Sequence, residues 1–272
     1  MSYLYETHLH TSYASACARS KGSEYIPRYQ DLGYSGIIVT DHFYRGHTNI
    51  PRYLPWKEWV NAFCLGYEEA RNEGEKRGFD VFFGWEETYA DGDDYLIYGL
   101  DKEWLLNHPE VRTWTRGRQY QTVRDEGGCV VQAHPFRQYD YIRKIVLSAG
   151  CVDAVEVCNL GNEEWFDALA MRYALKTGLP VTAGTDIHSA DQVCAGCVFG
   201  VIVKNKLKSI SDYVKAVRSK GISDISVNKG RFDGNTNEII TIPVELRDRN
   251  DRSTGKDWRK PESKTRHWFP RS

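Results

Sequence analysis

The chain lacks most of what would take a protein out of a reducing, aqueous compartment. No apolar run approaches the ~18 residues of a membrane-spanning helix. The opening residues, MSYLYETHLH, carry neither a basic start nor an apolar stretch, so no secretory leader is visible. Cysteine is sparse, seven in 272 residues, odd in number and scattered. That argues against a disulfide framework and for a cytoplasmic location. An excess of one charge is also missing. Lys plus Arg is 36, Asp plus Glu is 37, and the formal net charge is -1. A chain-wide basic character is thereby excluded, though not a local patch. Neither a phosphate-cradling GxxxxGK[ST] loop nor a GxSxG nucleophile elbow occurs. There is no closely repeating unit, no low-complexity segment and no internal linker before residue ~230.

What is present is ordinary for a globular chain: 41% hydrophobic and 27% charged residues, long enough to bury a substantial core. Charge is uneven, however. From Arg247 to Ser272, nine Lys/Arg face four Asp/Glu, a net of +5, which leaves 27 against 33, or -6, for the rest. The expected organisation is a barrel over 1–230 and a C-terminal extension over 231–272. Its basic tail, from about 247, has little periodic apolar content and is expected to be poorly ordered.

Short apolar runs alternate with helix-like stretches. Strands are expected at 3–9, 36–40, 80–86, 94–99, 128–133, 152–157, 179–184 and 197–203, and helices near 23–32, 56–77, 116–126, 138–149, 162–177 and 209–219. In 56–77, Trp56, Val60, Phe63, Cys64, Tyr67 and Ala70 recur at helical spacing, and Gly78 offers a stop. The alternation argues for βα units around a mainly parallel sheet. About seven units in ~220 residues suit a closed barrel better than an open sheet.

The chemistry gathers where apolar runs end. In ETHLHT, His8 and His10 stand at i and i+2, so both imidazoles leave a strand on one face. Asp41-His42 follows IIVT, Glu86-Glu87 follows FFGW, and His134 follows VVQA. Asp186 and His188 form a second i, i+2 pair in GTDIHS. Five strands thus end in His, Asp or Glu, at the end where parallel barrels carry their active sites. Imidazole with carboxylate suits Zn, Mn or Fe rather than Ca or Cu(I). Adjacent strand residues point oppositely, so only one of Glu86 and Glu87 can face such a cluster. Cys194 and Cys197 form a lone CxxC, whereas a structural zinc would want a second pair. His47, His108 and His267 lack ligand-like neighbours.

HLHTSYAS, IIVTDH, FFGWEE, AHPFR and GTDIHS resemble, in order, the signature segments of the PHP (polymerase and histidinol phosphatase) family, over about Tyr3 to Val203. The stand-alone phosphoesterases are the nearest type. The resemblance implies an α/β fold: a distorted (β/α)7 barrel with two, possibly three, divalent metals (Mn, Zn or Fe) at the C-terminal strand ends. It implies that His8, His10, Glu86 and Asp186 serve one metal. Glu86, rather than Glu87, would bridge to a second, shared with His134 and Asp94. His42 and His188 would serve a third. Two positions depart from the family pattern. Ser15 and Ala16 stand where an Asp or His is common, and Asp94 stands where many members carry His.

Phosphate needs positive charge besides metals. Arg137, three residues past His134, has a planar fork that suits phosphate. Arg19 and Arg45 follow other signature segments. Asp41 or a water is expected to protonate the leaving group. The implied activity is metal-dependent hydrolysis of a small phosphomonoester, such as histidinol phosphate, or a small nucleotide phosphodiester. The net of -6 over the body disfavours long nucleic acid. A 3′-5′ exonuclease tethered by the basic tail, and a non-catalytic metal- or phosphate-binding module, are the alternatives.

Overall fold

The computed structural model describes residues 2–234 and 240–259. The main sheet is built from β1 (Tyr3–Leu9), β2 (Gly36–Val39), β3 (Asp80–Thr88), β4 (Asp94–Tyr98) and β5 (Cys129–Gln132), with β7 (Ala154–Asn159) and β8 (Val181–Gly184) completing the ring. β6 (Ile145–Leu147) lies outside it. Neighbouring strands run in the order β1-β2-β3-β4-β5-β7-β8, and a parallel bridge from Leu9 to Ile187, just past β8, brings the ends together. The sheet is a nearly closed barrel. It is not uniformly parallel, because β4 runs antiparallel to both β3 and β5. Two further strands, β9 (Gly200–Val203) and β10 (Ile222–Ser226), extend the sheet antiparallel from the Tyr3–Tyr5 end of β1.

Seven helices cover this frame among the described residues: α1 (Gly22–Asp31), α2 (Trp56–Phe63), α3 (Leu65–Arg77), α4 (Lys102–Asn107), α5 (Arg116–Asp125), α6 (Glu164–Thr177) and α7 (Ile210–Arg218). The single helix expected over 56–77 is two, parted at Cys64. The apolar face of α2 stays buried, with Trp59, Val60 and Phe63 against Phe43, Phe83 and Trp85. The second part ends as expected at Gly78, whose φ of 65° is readily open to glycine. Gly66 at the start of α3 has a packing reason. A Cβ there would overlap Thr11 Oγ1 in the turn after His10, so glycine lets the helix press on the loop that follows the first ligand pair.

The helix expected over 138–149 is a correction. These residues form turns and then β6, which pairs in parallel with β11 (Val244–Leu246). Ile145, Val146 and Leu147 suit a strand, but the partner lies a hundred residues downstream, out of reach of local periodicity. The C-terminal extension is likewise more engaged than expected. Arg231 is buried and donates to Asp167 Oδ2 (2.8 Å) and to the carbonyls of Asn159 and Asn162 (2.9 and 2.6 Å). Residues 247–259, expected in a poorly ordered tail, also meet the barrel. Asp251 pairs with buried Arg116 (3.3 Å), and the Trp258 ring lies 5.0 Å from that of Phe136. Residue-by-residue pairing of this kind carries no compositional signature. The rest of the tail, 260–272, lies outside the described residues. No helix among the described residues is long and apolar enough to cross a membrane.

Candidate metal centre

Eight predicted ligands meet at one mouth of the barrel, delivered by the ends of different elements. β1 presents His8 and His10, both fully buried. A parallel bridge ties His42 to Glu86, so the end of β2 stands beside that of β3. Asp94 comes from the start of β4, and reaches the same mouth because that strand is antiparallel. His134 follows β5, and Asp186 and His188 follow β8. Glu86 faces this cluster. Glu87 points the other way, where its Oε1 accepts from Arg45 Nε (2.9 Å), and burial pushes its carboxyl up to about 7.

The imidazoles are oriented from behind. His8 Nδ1 lies 3.0 Å from Glu156 Oε1. Nδ1 donates to this oxygen, which leaves Nε2 as the nitrogen turned to the cluster; burial would lower the imidazole, but Glu156, Asp186 and Glu86 raise it well above its usual value. The same reasoning applies to His10. Its Nδ1 lies 3.1 Å from Ser15 Oγ, whose own proton goes to Asp41 Oδ1 (2.7 Å). His10 Nδ1 is therefore the donor, and its Nε2 faces the cluster, with burial, His42 and His188 holding the imidazole well below its usual value. These two Nε2 atoms lie 3.2 Å apart. Around them stand Asp186 Oδ1 (2.9 Å from His10), and Glu86 Oε1 and Oε2 (3.3 Å from His8 and 3.6 Å from His10). His134 Nε2 approaches Glu86 Oε1 at 3.2 Å and Asp94 Oδ2 at 3.8 Å. His42 Nδ1 lies 2.6 Å from Glu86 Oε2.

Acceptors gathered this closely repel one another unless positive charge sits among them. The charges around the carboxylates show the same demand. Burial would raise Glu86, but His42, His8 and His134 hold it well below the usual carboxylate range. Burial would also raise Asp186, but His8, Arg137 and His10 hold it low. Asp94, buried beside Glu86, is pushed up instead. Glu86 Oε2 and His42 Nδ1 are buried and, though 2.6 Å apart, make no well-aligned hydrogen bond to each other or to any other group. The donor set fits divalent ions. Four triples have ligand atoms within 4.8 Å of one another: His8/His10/Glu86, His8/His134/Asp186, Glu86/Asp94/His134 and His10/His42/His188.

The other expected residues fare differently. Asp41 is buried with both oxygens engaged, by Thr11 N (2.6 Å), Thr11 Oγ1 (2.6 Å) and Ser15 Oγ (2.7 Å), and so braces the turn after His10. Arg137 is at the site but turned onto protein. Nη2 donates to Asp186 Oδ2 (2.7 Å) and Asn159 Oδ1 (2.9 Å), and Nε to Asn162 Oδ1 (2.8 Å). Arg19 is exposed, and its backbone N–H donates to the His188 carbonyl (2.7 Å). Arg45 is tied to Glu87 and the Trp114 carbonyl. His47 is exposed, His108 stacks on Trp104, and His267 lies outside the described residues.

Sequence reasoning missed Glu156, Asn159 and Asn162, at the end of β7 and just beyond. Glu156 holds His8 through Oε1 and accepts from the His134 backbone N–H (3.2 Å) through Oε2. The signal was there, a glutamate inside the apolar run VDAVEV. Cys17 was missed as well. Burial would raise its thiol, but hydrogen bonds to His188 and His42 bring it down to about 5.

No family model and no curated protein matches the sequence. Solved structures do. A two-domain protein from Bacteroides vulgatus, described as containing a predicted PHP-like metal-dependent phosphoesterase, superposes with a TM-score of 0.53 at 15% identity. The match covers 80% of this chain and 64% of that one. The fold is the PHP fold. PsfC from Pseudomonas syringae matches at TM-score 0.55 and 17% identity, over 85% of this chain and 94% of that one. Endonuclease Q, in complex with a 27-mer duplex bearing an abasic lesion at its active site, matches at 0.53 and 11%, over 84% of this chain. The chain thus spans 64% of the Bacteroides protein and 58% of Endonuclease Q. The PHP fold places the ligand cluster where the sequence resemblance expects it, at the C-terminal ends of the parallel strands.

Proposed function

We propose that this chain is a metal-dependent phosphoesterase acting on a small phosphomonoester or a small nucleotide phosphodiester. The observation that carries the reading is the meeting of the His8 and His10 Nε2 atoms, 3.2 Å apart, among carboxylate oxygens. His8, His10, Glu86 and Asp186 would hold one ion, and Glu86, Asp94 and His134 a second. When bound, such ions supply an acidified water and neutralise phosphate charge. The protein's own residues do the rest. Glu156 and Ser15 hold the Nδ1 atoms of His8 and His10 and so fix which nitrogen faces the cluster. Arg137 holds Asp186 in place and ionised, and offers the substrate phosphate a charge at the rim. Exposed Tyr139 and Tyr141 stand beside it. Asp41, saturated by Thr11 and Ser15, is a brace, which leaves the leaving-group proton to water.

A nuclease is the second reading. It is favoured by the likeness to Endonuclease Q, a protein complexed with duplex DNA, and by the net +5 of the C-terminal segment. One experiment separates the two. Phosphate release is screened over many metabolites and short oligonucleotides, with metal-stripped and Mn-reconstituted protein. Metal-dependent turnover of a small phosphoester is expected. Full activity in stripped protein would refute the mechanism, and oligonucleotide cleavage that collapses with salt would select the nuclease.

A further inference from the structure

Cys194 and Cys197 take no part in the metal centre. They stand on the loop that runs from His188 to β9, and neither is buried: Cys194 is exposed and Cys197 half-buried. The chain turns back between them. Cys197 N–H donates to the Cys194 carbonyl (2.9 Å), and Phe199 N–H to the Cys197 carbonyl (3.2 Å). The turn is also held from outside. Asn228 Nδ2 donates to the Gly196 carbonyl (3.3 Å), Ser226 Oγ to the Val198 carbonyl (2.7 Å) and Tyr34 Oη to the Phe199 carbonyl (2.6 Å). This fixed turn brings the two side chains together. Cys194 Sγ lies 2.7 Å from Cys197 Sγ, so the free thiols stand less than an ångström beyond the ~2.05 Å of a sulfur–sulfur bond. Small reagents can reach them, since a Cβ built at Gly196 would meet nothing within 4 Å. By contrast, Cys64, Cys129, Cys151 and Cys158 are buried.

We propose that Cys194 and Cys197 form a dithiol centre that exchanges with low-molecular-weight disulfides, a chemistry separate from phosphoester hydrolysis. The Cys194 thiolate attacks one sulfur of the small disulfide and expels the other as a thiolate, which leaves a mixed disulfide on Cys194. The Cys197 thiolate then attacks Cys194 Sγ and expels the second small thiolate. The two protons lost by the cysteines go to the two released thiolates. One small disulfide is thereby reduced to two thiols, and the protein dithiol is oxidised to a disulfide. Exchange depends on access, so the exposed Cys194 takes the first attack and the less exposed Cys197, already in contact with it, resolves the adduct. A small dithiol runs the same steps backwards.

Full-length reduced protein, incubated with oxidised glutathione and then alkylated with iodoacetamide, tests this. The tryptic peptide from Thr177 to Lys204 holds these two cysteines and no other. It should lose alkylation at both, weigh two hydrogens less than its dithiol form, carry no glutathione, and regain both alkylations after dithiothreitol. Cys197→Ser should stop at a glutathione adduct on Cys194, because nothing resolves it. At one fixed ratio of reduced to oxidised glutathione, the oxidised fraction of the unmutated protein should fall when the chain is unfolded in guanidinium, since the turn then no longer holds the sulfurs together. The decisive readings come from the unmutated protein, so a misfolded serine variant does not settle the outcome. Two thiols that glutathione leaves alkylatable, a lasting glutathione adduct in the unmutated protein, or a disulfide that joins two chains overturns the centre. So does an oxidised fraction that unfolding leaves unchanged or raises.

Discussion

His134 and Asp186 hold φ angles of 27° and 53°, a region that side-chain-bearing residues seldom enter. Such positions cost of order 1–3 kcal/mol each and persist where the surroundings fix them. Here the fixing groups are visible: Glu156 takes the His134 N–H, and the His8 carbonyl takes that of Asp186 (2.7 Å). Glu156→Gln should therefore act on the cluster through His8 and His134. It removes the charge behind Nδ1 and sets an amide against two donors, and should lower metal affinity or kcat/KM by about 10–100-fold. Unchanged metal affinity and kinetics would remove Glu156 from the site's support. Glu6, fully buried beneath His8 with only hydrogen-bond donors around it, is pushed up to about 7 by burial. Its native value exceeds the unfolded one, so its stabilising effect is complete below about pH 4.5 and is lost as pH rises through about 7. Urea melts from about pH 5 to pH 8 should show the unmutated protein losing about 2–3 kcal/mol relative to Glu6→Gln. Parallel curves would show that Glu6 does not titrate in this range.

Between elements, the decisive contacts are polar and buried. Arg116, 6% exposed, opens α5 and grips the turn before β4 by two bonds to Asp93 (2.7 and 2.6 Å), with Asp251 behind it (3.3 Å). That turn sets where Asp94 begins. Arg116→Ala leaves the Asp93 carboxylate, 8% exposed, without its paired cation and Asp251 with Arg247 alone (3.4 Å), which should cost about 3–5 kcal/mol in denaturant stability. Arg116→Lys should recover only part of it, lacking the fork. A loss under about 1 kcal/mol would mean that the pair behaves as an exposed one. The α3 contact is steric. Gly66→Ala should cost about 1–3 kcal/mol, because Thr11 and the bonded Asp41 cannot both give way. Its activity should fall with Mn present, since the turn carries His10. A stable, fully active Gly66→Ala would show the loop to be compliant.

At the scale of the molecule, the barrel mouth gathers carboxylates and imidazoles whose crowding bound cations would relieve. Adding Mn, Fe or Zn to stripped protein should stabilise it by about 3 kcal/mol at a hundredfold excess over Kd, seen as a Tm higher by several degrees. Chelation should reverse the shift. A Tm indifferent to all three metals would count against metal binding at the cluster.

The strand ends were legible because each is a local event: an apolar run, then His, Asp or Glu, with i and i+2 sharing a face. His8 with His10, and Asp186 with His188, needed nothing more. The seven strands of the ring were also visible locally. β6 and β11 were not, since three residues pair only because the chain returns a hundred positions later. The sequence by itself determined which residue types would crowd one end of a barrel, a donor set whose chemistry suits a divalent cation. Tertiary structure decided which partners orient them, because hydrogen bonds such as Glu156 to His8 join strands 148 positions apart. It also decided that the Asp41 oxygens are taken up by Thr11 and Ser15, and that Arg231 locks the loop behind Arg137. Spacing along a chain records direction on a strand, but not which side chains a closed barrel brings face to face.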